Sequence, residues 1–237
     1  MVKSKGNPKV QKFLLRLLHL LMKLLLRFEI SNPSQMPASG PVIVIINHIA
    51  WLDPVITVGG LSRIVVPLAK QEIFDFFLVG AVIKLYGAIP VNRGEADLNA
   101  VKSALQVLKQ GGAVLLAPEG TRSRNGQLQA GKDGAVMLAL RSNTPILPVG
   151  VTGTQQVESY WKRLKRAPVQ LTVGQPFRLR LSSSCKRLPR SEIEAMTREV
   201  MYRLAAQLPA ESRGVYANQT QTVETYVLPL IDSVEEF

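Results

Sequence analysis

Cysteine and histidine are nearly missing from this sequence. One cysteine, Cys185, cannot close an internal disulfide and fits a reducing compartment. Two histidines, His19 and His48, leave little material for a histidine-rich metal site, and no metal is expected. Charged residues are scarce at 19% and aromatic ones scarcer at 6%, whereas 46% of the chain is hydrophobic, which excludes a disordered polyelectrolyte. Acidic residues are the minority sign, 17 Asp+Glu against 29 Lys+Arg, for a net charge of +12. A soluble nucleic-acid module reaches such basicity through many charges and spaces aromatics along its binding face. Here the basic stretch has Tyr160 and Trp161 only at its start, so no nucleic-acid partner is expected. A basic chain of 237 residues with mean hydropathy +0.12 can bury a full core and suits an anionic membrane face.

A long uncharged hydrophobic run is also lacking. A membrane-spanning helix needs about 20 largely uncharged residues. The leucine-crowded stretch 9–28 is interrupted by Lys12, Arg16, Lys23 and Arg27, which with His19 are spaced to share one helical stripe. Leu14, Leu17, Leu18, Leu21, Leu24, Leu25 and Phe28 fall on the opposite side. This pattern predicts a helix that lies in the headgroup plane, leucines toward the acyl chains and cations toward anionic lipid. A helix packed on the protein's own core with a solvated basic side is the alternative. Neither the charge placement nor the residues that follow resemble a signal peptide. Residues 1–32 are therefore expected to form a membrane-associating element on the cytoplasmic face.

Beyond the turn-rich Ser31-Asn32-Pro33-Ser34, short β-branched runs alternate with helical periodicity. Strands are expected at Val42–Ile46, in Arg63-IVVPL, Leu85-YGAIPV, Ala113-VLLA, Pro145-ILPVGV and Val169-QLTV. Helices are expected over 73–84, after an Asp97 cap up to Gly111-Gly112, over 134–141, and from a capping box at Ser191-EIE. The alternation predicts an α/β fold, with a mostly parallel sheet covered by helices on both faces. Residues 33–217 form the expected domain, and 218–237 an acidic tail containing Glu224, Asp232, Glu235 and Glu236.

In such sheets reacting groups gather beyond the carboxyl ends of strands. Asn47-His48-Ile49-Ala50-Trp51-Leu52-Asp53 follows the first domain strand directly. His48 and Asp53 are too far around a regular helix to touch, so they meet only if the segment turns, and Pro54 disfavours helical backbone at Asp53. An imidazole held at Nδ1 by a carboxylate presents its other nitrogen as a general base. Two further strands end in arginine: Gly87-Ala88-Ile89-Pro90-Val91-Asn92-Arg93, and the strand before Pro118-Glu119-Gly120-Thr121-Arg122-Ser123. Arginines so placed suit a phosphate, and Gly120 permits close backbone approach or an unusual turn. No G-x-S-x-G motif supports an enzyme serine nucleophile, and Cys185 is not expected to carry an acyl group. Backbone N–H groups near the His48 turn are candidate oxyanion donors.

Taken in order, N-H-x-x-x-x-D, G-A-I-P-V-x-R, P-E-G-T-R-S and the P-I-L-P-V strand resemble the 1-acylglycerol-3-phosphate acyltransferase family over roughly residues 40–180. Arg213-Gly214-Val215-Tyr216-Ala217 resembles the family's ending. The resemblance implies transfer of an acyl group from a thioester, acyl-CoA or acyl-acyl carrier protein, to the free hydroxyl of a lysophospholipid, with no cofactor. It implies that His48 is the base and Asp53 its partner, and that Lys70, Arg93, Glu119, Gly120, Thr121 and Arg122 belong to the substrate region. One departure from the family pattern is Ala130-Gly131-Lys132-Asp133-Gly134, where many relatives carry a phenylalanine before the basic residue, which changes the expected pocket there.

Nine basic residues and no acid lie between Ser159 and Arg190, a surface for anionic lipid or an acidic acyl donor if it is not simply a solvated face. Two other readings remain at this point. Another lysolipid acceptor would keep the chemistry, whereas a non-catalytic peripheral membrane protein would not need His48 and Asp53 together.

Overall fold

The computed structural model describes residues 6–92, 97–180, 188–218 and 225–230. The first element is α1 (Pro8–Leu25), whose N-cap Asn7 accepts from Lys9 N. It ends where β1 (Leu26–Ser31) begins, so Arg27 and Phe28 lie on a strand and not on the expected helix. Pairing explains the early stop. β1 runs parallel to β7 (Ala167–Val173) in continuous register from Leu26 opposite Ala167, and Arg166 donates twice to Leu26 O.

The domain core is β2 (Val42–Ile46), β3 (Val65–Lys70), β4 (Ile89–Val91), β5 (Ala113–Leu116) and β6 (Ile146–Thr152), followed by β7, β8 (Phe177–Leu179) and β9 (Val227–Pro229). Strand order is β1-β7-β6-β2-β5-β3-β4, with β8 pairing β6 and β9. Five of these pairings are parallel, and the three made by β6 with β7, β6 with β8, and β8 with β9 are antiparallel. The sheet is mostly parallel, as expected.

Every side chain of β2 is buried because both sheet faces are covered. Ile43 and Ile45 pack with α4 (Leu98–Lys109), α5 (Gly134–Ser142) and α7 (Arg190–Ala205). Val42, Val44 and Ile46 pack on the other side with α1, α2 (Asp53–Gly60) and Tyr160 and Trp161 of α6 (Val157–Lys162).

Several local expectations are corrected. The 73–84 helix is two pieces, a 3-10 turn over Gln71–Asp75 and α3 (Phe77–Tyr86), and the strand expected from Leu85 is confined to Ile89–Val91. Gly87 ends α3 with φ of 89°, so Leu85 and Tyr86 belong to the helix. α7 starts at Arg190 behind Pro189 without a side-chain cap, so no box forms at Ser191. Asp97 does cap α4, accepting from Asn99 N and Ala100 N. Part of the expected acidic tail joins the sheet as β9. Glu199 of α7 anchors it by accepting from the N–H groups of Thr225, Tyr226 and Val227. Cys185, Glu224, Asp232, Glu235 and Glu236 lie outside the described residues.

Candidate active site

β2 delivers Asn47 and His48 at its carboxyl end, both buried. Asn47 fixes that end by pairing with the Val151 backbone: its Nδ2 donates to Val151 O at 2.9 Å and its Oδ1 accepts from Val151 N at 2.7 Å. The chain then turns as the spacing requires. His48 Nδ1 lies 2.9 Å from Asp53 Oδ2, which also accepts from Ile49 N at 2.6 Å and Ala50 N at 2.7 Å. Thr154, just beyond β6, donates to Asp53 Oδ1 at 2.5 Å. Asp53 has no exposed surface. It is the first residue of α2, so Pro54 sits in the first helical turn, where its missing N–H costs nothing.

Four donors thus converge on one carboxylate. An ionised carboxylate only accepts, so Nδ1 carries the hydrogen and Nε2 of the neutral ring keeps its lone pair. An imidazole so held, with its tautomer and orientation fixed, can serve as a general base. The arrangement also narrows one expectation. The N–H groups of Ile49 and Ala50 are spent on Asp53, and that of His48 on Glu119, so these three are not the ones that would meet an oxyanion.

Glu119 is 2% exposed and braces the loop from within. Its Oε1 accepts from His48 N at 2.8 Å and its Oε2 from Gln129 N at 2.9 Å. Burial pushes its carboxyl above the ordinary 4.5, against those two N–H groups, which pull it down. Ser123 N donates to His48 O at 2.7 Å, so both sides of the His48 peptide are held from the loop after β5.

A cavity of about 520 Å³ opens beside His48 and runs between the sheet and α4 and α5. Its depth is apolar because α4 and α5 turn small side chains inward, Ala100, Ala104 and Ala135, toward Leu115 and Leu138. Lys70, Lys132 and Arg141 also line it. Lys70 bonds Glu72 at 2.7 Å with both side chains well exposed. Gly120 lines the cavity with φ of 71°, and a Cβ there would meet Lys132 Nζ at 3.0 Å. Thr121 and Arg122 are exposed on the following loop, and Arg93 lies outside the described residues. Asp97 accepts from Asn92 N at 2.9 Å as well as capping α4, and those N–H groups hold its carboxyl below the usual range.

Asn47, Thr154 and Lys132 were not singled out in the sequence. Thr154 is 101 residues from its partner, and no local pattern marks it. Lys132 carried a signal, the basic residue two positions after Ala130 in the segment already noted.

The leucines of α1 divide between two faces, not one. Gln11 and Met22 are buried and Leu15 and Leu18 half-buried, with Gln11 Nε2 donating to Tyr86 O at 2.6 Å. Gly59 of α2 permits the close approach of Met22, since a Cβ there would lie 2.5 Å from Met22 Sδ. Phe13, Leu17, Leu20, Leu21 and Leu24 are exposed on a second face. Lys12, Arg16, His19 and Lys23 form a third, about 120° around the helix from each of the others. The third face borders a cleft of about 1300 Å³, with Arg63 across it and no acidic residue in its lining. None of the His48 residues lines that cleft. Among the described residues no helix is long and apolar enough to cross a membrane. Of the basic run, Arg166 holds Leu26 O, Arg178 holds Asn143 O, and Arg190 pairs with Glu194, so part of it is structural.

A family model described as Acyltransferase matches residues 27–152, just over half of the chain. The chain is 27% identical to the 1-acyl-sn-glycerol-3-phosphate acyltransferase of Bacillus subtilis, over 81% of this chain and 94% of that protein. It is 32% identical to the protein of the same name from Borreliella burgdorferi, over 54% of this chain and 52% of that one. It is 30% identical to human 1-acyl-sn-glycerol-3-phosphate acyltransferase alpha, over 70% and 59%. The chain spans about half or less of the length of several curated relatives it matches. In fold it is similar to the crystal structure of the 1-acyl-sn-glycerophosphate acyltransferase PlsC from Thermotoga maritima. That likeness has a TM-score of 0.62 at 21% identity, covering 84% of this chain and 80% of that one.

Proposed function

This chain belongs to the acyltransferase family, and on that premise we propose that it moves a fatty acyl group from a thioester to the sn-2 hydroxyl of 1-acylglycerol-3-phosphate, giving phosphatidate. One observation carries the reading: an imidazole locked by a buried carboxylate lines a cavity that is apolar in depth and carries Lys70 and Lys132 in its wall. Every curated relative named above also bears the 1-acyl-sn-glycerol-3-phosphate acyltransferase name.

His48 Nε2 takes the proton of the acceptor hydroxyl as its oxygen attacks the thioester carbonyl carbon. The tetrahedral intermediate collapses with cleavage of the C–S bond, and the imidazolium returns the proton to the departing thiolate. Asp53 stabilises the imidazolium and fixes the ring. The two substrates supply every atom that moves, so the transfer calls for no metal or cofactor. Lys70, Arg93, Thr121, Arg122 and the Gly120 turn form the acceptor-phosphate region, and the apolar cavity takes an acyl chain. Acyl-CoA and acyl-acyl carrier protein are the candidate donors, each bringing anionic groups to a basic chain. The protein works from the cytoplasmic face of an anionic membrane, with α1 at the interface.

The test is transfer from both donor types to lysophosphatidate by purified protein, with His48→Ala and Asp53→Asn alongside. Each substitution should lower turnover by about 10²–10⁴-fold without unfolding the protein. Near-normal turnover in a folded His48→Ala variant overturns the assignment. Transfer to a phosphate-free lysolipid at the same efficiency would instead support a different acceptor.

A further inference from the structure

Among the described residues, the most exposed apolar surface is not part of the His48 cavity lining but lies on the segment between β3 and β4. Phe76, Phe77, Leu78, Val79, Val82 and Leu85 are 65%, 89%, 73%, 53%, 49% and 57% exposed. From Phe76 to Ile83 no side chain is polar, and only Gly80 of that stretch is buried. Such a cluster is far beyond the single exposed leucines that soluble surfaces tolerate. We propose that α3 inserts its apolar face into the hydrocarbon of one bilayer leaflet, as a second membrane anchor beside α1.

Three observations favour a bilayer over a protein partner. First, the neighbouring helix also exposes an apolar face. α1 packs against α3, and Gln11 Nε2 donates to Tyr86 O at the end of α3, so the exposed Phe13–Leu17–Leu20–Leu24 face and the α3 face belong to neighbouring helices. Second, charge stands only at the ends of the segment, where headgroups would meet it. Lys70, Glu72 and Asp75 precede it and Lys84 closes its last turn, and the lysine stems are long enough to reach the interface while the helix sits deeper. Third, the length fits insertion and not crossing. Ten residues of helix rise about 15 Å, half the hydrocarbon thickness.

The placement gives the anchor a use. The chain leaves the cavity lining at Lys70, passes through the apolar segment, and rejoins the lining at Val91 and Asn92. A bilayer holding α3 therefore holds the cavity against the headgroups, where an acceptor that keeps its acyl chain in the membrane arrives. Gly80 keeps the segment compact, because a Cβ there would collide with Phe74 O. The insertion stands independently of the acyl-transfer reading, and its test is a binding measurement.

The full chain is titrated with phosphatidylcholine vesicles in high salt, which removes the attraction of basic residues for anionic lipid. Phe77→Ser/Leu78→Ser should bind about tenfold more weakly or worse, with an unchanged melting temperature because both side chains are exposed. Phe77→Trp should bind like the parent, and the fluorescence it adds should be quenched by phosphatidylcholine brominated on the acyl chains. Parent-like binding by the double variant overturns the proposal, and so does added fluorescence that the brominated lipid leaves unquenched. A dimeric parent that the double variant converts to a monomer also overturns it, since a second copy would then cover this face.

Discussion

The backbone N–H of His48 donates to Glu119 Oε1 at 2.8 Å, so the carboxylate that follows β5 sets the height of the imidazole that follows β2. Glu119 spends its other oxygen on Gln129 N and is too deeply buried to meet a substrate phosphate. It is a positioning residue, and its substitution has a distinct signature. Glu119→Gln turns one acceptor into an N–H₂ facing an N–H, leaving at least one buried donor unpaired at a cost of about 1–3 kcal/mol. Turnover should fall while the acceptor KM stays near that of the parent. Because burial raises the folded carboxyl above 4.5, the folded state holds more protons than the unfolded state between 4.5 and that raised value. Stability from this group therefore falls as pH rises through that window. Melting curves across acid pH should show that slope in the parent and not in Glu119→Gln; parallel slopes would remove the group from the account.

The acceptor phosphate gives a second contrast. Among the described residues Lys70 is paired only with an exposed Glu72, a bond worth at most about 1 kcal/mol and easily exchanged for phosphate. Arg122→Ala, Arg93→Ala and Lys70→Met should each cost roughly 1.5–3 kcal/mol in kcat/KM for lysophosphatidate. The loss should be much smaller for an analogue without the phosphate. Equal losses on both acceptors would mark these as structural cations.

Chain-length preference tests the cavity. Ala104 is 1% exposed and lines its apolar wall, one helical turn from Ala100. Ala104→Leu fills part of that space, and each methylene kept out of an apolar site forfeits about 0.8 kcal/mol. Long-chain acyl donors should lose kcat/KM while short-chain donors keep it, measured as competition between two donors in one reaction. A uniform loss across chain lengths would place the acyl chain elsewhere.

Much of this site was legible because its local geometry is short-range. Four residues separate His48 from Asp53, and a turn between them was the only way to bring them together. The all-β-branched β2 announced a strand buried on both faces. What escaped was long-range or shared between elements. Thr154 reaches Asp53 from the far end of β6, and Glu119 presents the carboxylate expected in a phosphate region to two backbone N–H groups instead. β1 read as helix because its leucine and arginine continue the α1 pattern, and only pairing with β7 decides otherwise. The outward face of α3 was equally hidden, since a run of apolar residues does not say which of them finds a neighbour.

The geometry of α1 separates two contributions to membrane binding. Lys12, Arg16 and Lys23 share one exposed face, whereas Arg27 stands on strand β1. Each basic residue close to an anionic surface contributes about 1 kcal/mol. Replacing the three helix residues with glutamine should therefore weaken binding to anionic vesicles by about two orders of magnitude at low salt, with the difference shrinking as salt rises. Binding to neutral vesicles, for which the exposed apolar faces of α1 and α3 are the proposed contacts, should change little. Activity on bilayer substrate should fall with the vesicle affinity, and activity on detergent-dispersed substrate should fall less, because His48 and its partners are untouched. Arg27→Gln alone should have a smaller effect than any one of the three. Unchanged affinity of the triple variant for anionic vesicles would leave its basic face to the 1300 Å³ cleft alone.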